Sequence, residues 1–116
     1  MSSAKPVTVV ETPEFLSAVR KLMDDDERAL LVDYLAANPM AGDLIPGTGG
    51  VRKLRWALEG RGKRGGARVV TFFHDGSMPL FVLTAYAKNA RADLSQQDRN
   101  GFKRLTAQLV DAFARR

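Results

Sequence analysis

Short β-branched runs and helically spaced apolar residues alternate along the first forty positions. Pro6-Val7-Thr8-Val9-Val10-Glu11 is short and β-branched, which predicts a strand. Thr12-Pro13-Glu14 then gives a helix start: Thr12 as cap, Pro13 where a missing N–H costs nothing, Glu14 in the first turn. Phe15, Leu16, Val19, Leu22 and Met23 follow at helical spacing. Asp24-Asp25-Asp26-Glu27 sets carboxylates at the positive end of a second helix, which continues through Leu30, Leu31, Tyr34 and Leu35 and stops at Asn38-Pro39. The two segments predict a helical hairpin.

Residues 40–50 read as a loop broken by Gly42, Pro46, Gly47, Gly49 and Gly50. The period then changes to two. Val51–Leu58 predicts a strand with Arg52, Leu54, Trp56 and Leu58 on one face and Val51, Lys53 and Arg55 on the other. Glu59–Gly66 is a charged, glycine-rich hairpin tip. Ala67–His74 predicts a second strand, Asp75-Gly76 a tight turn and Pro79–Tyr86 a third strand. The last two strands are apolar on both faces, as strands covered on both sides are. A polar connection over Ala87–Leu94 leads to a last helix. Ser95 and Asp98 mark its start, and Phe102, Leu105, Leu109, Val110 and Phe113 form its apolar stripe. The element order predicts one α+β domain over residues 1–116: N-terminal strand, helical hairpin, three-stranded antiparallel meander completing the sheet, and C-terminal helix.

The 116 residues suit a single core, and an apolar fraction of 45% is too high for a disordered chain. No apolar run approaches the ~20 residues needed to cross a bilayer, so no membrane partner is expected. Met-Ser-Ser-Ala-Lys-Pro has no apolar core of a signal peptide, and a cytosolic location is expected. With no cysteine, disulfides, thiolate zinc sites and cysteine nucleophiles are excluded; one histidine excludes any site needing two imidazoles. Gly47-Thr48-Gly49-Gly50 precedes a strand, whereas a phosphate-cradling loop precedes a helix. The acidic residues cluster at a helix start, where they cap, so neither a metal nor another cofactor is expected. His74, beside Asp75-Gly76, reads as a turn or edge residue.

The net charge of +5 is unevenly spread. Residues 1–50 carry four basic and eight acidic side chains, residues 51–88 eight and two, residues 89–116 six and three. A cationic middle third is the electrostatic footprint of a polyanion partner, or else a solvated basic face. Its placement favours the former. Lys53 and Arg55 project to one side of their strand, and Arg68 opens the strand that the hairpin pairs with it. Lys88 follows the third strand at the same sheet end. Like charges facing across strands repel, and a bound polyanion relieves that repulsion. Phosphate contacts of this kind give affinity and steering with little sequence readout.

Three blocks carry a resemblance: Gly50-Val51-Arg52-Lys53-Leu54-Arg55-Trp56, Gly62-Lys63-Arg64-Gly65-Gly66-Ala67-Arg68-Val69-Val70, and Tyr86-Ala87-Lys88-Asn89-Ala90-Arg91-Ala92-Asp93-Leu94-Ser95. Over roughly residues 7–110, the extent of one compact domain, the chain resembles the RelE/HigB toxins of bacterial toxin–antitoxin modules. The tyrosine–alanine–lysine–asparagine segment is similar to the HigB-like branch. The resemblance implies a RelE-like fold and a metal-independent endoribonuclease that cuts mRNA in the ribosomal A site. The RNA's own 2′-OH would attack the adjacent phosphate, leaving a 2′,3′-cyclic phosphate. The protein then needs to orient the chain, stabilise charge on the phosphorane-like transition state and handle two protons.

By the same resemblance Arg68 is the transition-state arginine, whose planar fork can bind two phosphate oxygens. Lys53 and Lys88 join it as catalytic cations, one of them a candidate for proton transfer, and Arg55, Arg64, Tyr86 and Asn89 contact RNA. Trp56 falls on the core face. The chain departs from relatives that use a C-terminal tyrosine or histidines, so the general base stays unassigned. A lysine serves only if crowding cations lower its pKa from about 10.4 toward neutrality. A cognate helix-turn-helix, HigA-like antitoxin is implied, reaching operator DNA together with the toxin. A ParE-like topoisomerase inhibitor and a non-catalytic basic RNA-binding module remain as alternatives.

Overall fold

The computed structural model describes residues 5–58, 66–89 and 94–115. Five strands, β1 (Val9–Glu11), β2 (Asp43–Leu44), β3 (Val51–Trp56), β4 (Ala67–Phe72) and β5 (Leu80–Ala87), form one sheet in the order β1-β5-β4-β3-β2. Helices α1 (Pro13–Val19) and α2 (Asp25–Ala37) precede β2, and α3 (Gln96–Ala114) ends the chain. The β3-β4-β5 meander is antiparallel, whereas β1 pairs with β5 in parallel.

The helix starts follow from local chemistry. Thr12 accepts the Phe15 N–H at 3.2 Å, and its hydroxyl lies 2.8 Å from the Val82 carbonyl, which ties the start of α1 to β5. Asp24 and Glu27 form a capping box at α2, and Ser95 and Asp98 form another at α3. Asn38 closes α2, its backbone N–H reaching the Tyr34 and Leu35 carbonyls.

Two cores result, one on each sheet face. Phe15, Val19, Leu31 and Leu35 of α1 and α2 pack with Val69, Leu80 and Val82. On the other face Phe102, Leu105, Leu109 and Phe113 of α3 pack with Val51, Phe72 and Phe81. Phe81 and Phe113 meet edge to face at 5.9 Å. Fully burying each such side chain contributes about 1.5–3 kcal/mol.

Helices cover both faces of the sheet, α3 the one opposite α1 and α2, as the two-sided apolar strands predict. Three features differ from expectation. The glycine-broken segment 40–50 contains β2, two residues long and so without readable alternation. Pairing ends at Trp56 and Phe72, short of Leu58 and His74, and β1 begins only at Val9. Finally, Val70 pairs with Thr84 but Thr71 with Val82, leaving Leu83 as an extra residue on β5. This bulge reverses the alternation of β5 beyond it. Without it Tyr86 would share a face with Val82; with it Tyr86 joins the α3-side cluster and Ala85 joins Val82.

Candidate nucleic-acid interface

The register of the central strands places the basic residues. On β4, Arg68 sits opposite Arg55 of β3 on one side and Tyr86 of β5 on the other. Directly opposed side chains of this kind have Cβ atoms about 4.5–5.5 Å apart. One row further, Lys53 opposes Val70, with Asp43 of β2 beyond it. Lys53, Arg55 and Arg68 therefore project from the same face, the one that α3 occupies at its other end. Lys88 lies at this sheet end, exposed, its N–H donating to the Gly66 carbonyl at 3.2 Å. Asn89 follows it in an exposed turn. Arg64, with the rest of the hairpin tip up to Gly65, lies outside the described residues.

Gly66 fixes the entry to this row. Its φ is +58°, and a Cβ there would lie 2.4 Å from the Trp56 carbonyl oxygen, so only glycine lets β4 begin opposite the end of β3. Arg55 is exposed, and Lys53 and Arg68 are half-buried. Tyr86 retains only 7% of its surface and packs in the α3-side cluster that also contains Leu94. Its ring is thus part of the floor beneath the cations rather than an open platform for a base. Trp56 lies on the opposite face, packed in the α1–α2 core as expected.

The cations form a row, or trough, across β3 and β4 at this end of the sheet. A cavity of about 600 Å³ lies elsewhere, between residues 5–8, the 76–79 turn and Phe113. A shallow hollow of about 380 Å³ on the outer side of α3 is lined by Asn100, Lys103, Arg104 and Ala107. His74 follows the far end of β4, and the stretch from Arg68 to Phe72 alone spans about 13 Å. It pairs with Asp75 at 3.5 Å and has no place in the trough. Asp75 is held below the ordinary carboxylate range, chiefly by the Ser77 hydroxyl and backbone N–H and to a lesser degree by His74. Among the described residues no group of three or more His, Asp or Glu side chains is placed to hold a metal ion.

The sequence missed Asp43 as a neighbour of the trough. It is the one acidic side chain that the register places beside Lys53, and nothing in a two-residue strand signals that pairing. Chemically, three cations on one face suit the repeating charge of an extended ribose-phosphate chain. Arg68 between Arg55 and Tyr86 offers a rigid donor fork at the centre.

Comparison with known proteins supplies an independent finding. The model of a family described as the RelE toxin of the RelE/RelB toxin–antitoxin system matches residues 11–116. Among solved structures, a double mutant of the E. coli toxin RelE in the free state superposes with a TM-score of 0.53 at 17% identity. That match covers 73% of this chain and 86% of the other, and it shows a shared fold.

Proposed function

The chain belongs to the RelE toxin family, a toxin of a toxin–antitoxin module with ribonuclease-type function, and we propose that it cuts mRNA on the ribosome through the trough built on β3, β4 and β5. The observation that carries this reading is the cross-strand placement of Arg68 between Arg55 and Tyr86, with Lys53 on the same face. Arg68 donates to the non-bridging oxygens of the scissile phosphate, where charge accumulates as the 2′-oxygen attacks. Its planar fork engages two oxygens at once, so less freedom is lost per hydrogen bond formed. Lys53 and Arg55 hold the flanking phosphates, and Lys88 and Asn89 close the sheet end over the leaving nucleotide. Tyr86 supports the floor. The attack generates a 2′,3′-cyclic phosphate and a 5′-hydroxyl, so no water and no metal is consumed in the step. One proton leaves the 2′-OH and one reaches the departing 5′-oxygen. Lys53 and Lys88 are the side chains offered for proton transfer. An antitoxin of the helix-turn-helix, HigA-like type keeps the activity in check, and the toxin works in the cytoplasm.

A translating extract tests the reading. Wild-type protein is expected to cut mRNA at codon-positioned sites, and only when ribosomes are present; Arg68→Ala is expected to stay folded and leave mRNA intact. Loss of DNA supercoiling with intact mRNA would point to a topoisomerase target instead. RNA retention without cleavage would reduce the protein to a binding module.

A further inference from the structure

Helix α2 carries apolar residues on two sides. Leu31 and Leu35 are fully buried against the sheet. Leu30 and Tyr34, each one position earlier, point outward with 58% and 41% of their surface exposed. Ala37 is also exposed, and Leu30, Tyr34 and Ala37, at i, i+4 and i+7, form a stripe along the outer side. Among the described residues the large exposed apolar side chains are Leu30, Tyr34, Met40 and Leu44, all within one stretch of fifteen positions. The Tyr34 ring meets Trp56 at 5.5 Å and so joins the stripe to β3, on the sheet face where Leu44 opposes Arg52. An apolar strip of this kind on an otherwise polar surface marks an interaction site.

The charges around the stripe select its occupant. Asp26 and Asp33 are exposed on the same outer side, and Asp25 and Glu27 fill the first turn. Arg28 is engaged with Glu11 at 3.1 Å and Asp25 at 3.5 Å. A negative strip repels nucleic acid and anionic membrane alike. It also disfavours a second copy: two α2 helices would bring like charges together. A head-to-tail copy would present its cationic trough without an apolar seam, because among the described residues the exposed large apolar side chains all lie in 30–44. From Asp26 to Ala37 the stripe is about 17 Å long, three turns of a facing helix.

We propose that the outer stripe of α2 docks a basic amphipathic helix of the antitoxin, with Leu30 and Tyr34 in its apolar seam and Asp26 and Asp33 facing its Lys or Arg side chains. The inference rests on the toxin reading only in taking the antitoxin as the partner. The stripe lies across the sheet from Arg68, so inhibitor contact there leaves the trough's own residues untouched.

The test is calorimetric titration of the full chain with its purified antitoxin. Leu30→Glu is expected to weaken binding at least 100-fold and Asp33→Lys at least tenfold, with Arg55→Ala within twofold of wild type. Because Tyr34→Glu disturbs the Trp56 contact and can unfold the hairpin, Leu30→Glu is the deciding variant; its thermal midpoint should match wild type. Binding of Leu30→Glu within twofold of wild type overturns the proposal. So does a homodimer of the isolated toxin, seen by light scattering, that Leu30→Glu disperses while antitoxin affinity persists. Cleavage by Leu30→Glu in the translating extract is read separately: if wild type fails to cut mRNA yet loses antitoxin on the Leu30 change, the nuclease reading falls and the docking surface stands.

Discussion

Arg55 and Arg68 face each other directly across β3 and β4, two guanidinium side chains on the same side of the sheet. Like charges in this relation destabilise a sheet, by roughly 0.2–1 kcal/mol for a directly opposed pair. A bound polyanion would relieve that repulsion. Arg55→Thr replaces one cation with a good strand former, so the variant should be more stable in urea by up to about 1 kcal/mol. The same change should lower mRNA cleavage. Equal or lower stability of the variant would show that the pair carries no repulsion.

Thr48 holds the approach to β3. It is fully buried, its hydroxyl donating to the Ile45 carbonyl at 2.6 Å and accepting the Val51 N–H at 3.0 Å, while its own carbonyl lies 3.2 Å from the Thr106 hydroxyl of α3. Valine fills the same space but leaves a buried N–H and C=O without that partner. Thr48→Val should therefore cost about 1–3 kcal/mol, read as a lower denaturant midpoint with an unchanged m-value. Since β2 and its Asp43 are anchored here, hydrogen exchange at Lys53 should also speed up.

How far the site was legible depended on which physical signal each residue carries. The two-residue period of Val51–Trp56 is enough to separate Lys53 and Arg55 from Leu54 and Trp56, and the structure keeps that separation. Thr12, Ser95 and Asp98 announce their helix ends by local hydrogen bonding that needs no tertiary context. Tyr86 carried no such signal: its face depends on the Leu83 bulge, and a strand apolar on both sides hides a change of alternation. The parallel pairing of Val9–Glu11 with β5 and the two residues of β2 are long-range pairings too short to leave a pattern. On spacing alone the outward Leu30 and Tyr34 join Leu31 and Leu35 in one apolar run, because spacing does not say which side of a doubly apolar helix is buried.

The Asp75 turn gives a pH-dependent stability far from the trough. Its carboxyl is depressed by the Ser77 hydroxyl and N–H and, more weakly, by His74. A carboxyl depressed in the folded state adds stability that is present above its unfolded pKa, near about 3.9, and is lost as pH falls through the lower folded value. Ser77→Ala removes the hydroxyl donor and keeps the backbone one, so the Asp75 titration should move upward by NMR. The stability difference between variant and wild type should be constant at neutral pH and shrink in acid below about pH 4. mRNA cleavage at pH 7 should not change; if it does, the 73–79 turn reaches the trough in a way the register does not allow.

The salt dependence of RNA binding counts the cations that act. Each phosphate neutralised on a single strand contributes a slope of about −0.7 in log affinity against log salt. Lys53, Arg55, Arg68 and Lys88 all engaged would give a slope near about −3 on a 2′-O-methyl oligonucleotide, which binds but lacks the attacking hydroxyl. Removing any one of them to alanine should lower the magnitude by about 0.7. Lys103→Ala, on the outer side of α3, should leave it unchanged. Arg68 separates from the others in a second measurement, mRNA cleavage in the translating extract: Arg68→Ala should abolish it, whereas Arg55→Ala should slow it and leave a measurable rate. Equal slopes for the Lys53, Arg55 and Lys88 variants and wild type would mean that the trough is a solvated basic face, and the phosphate chain would have to lie elsewhere on the molecule.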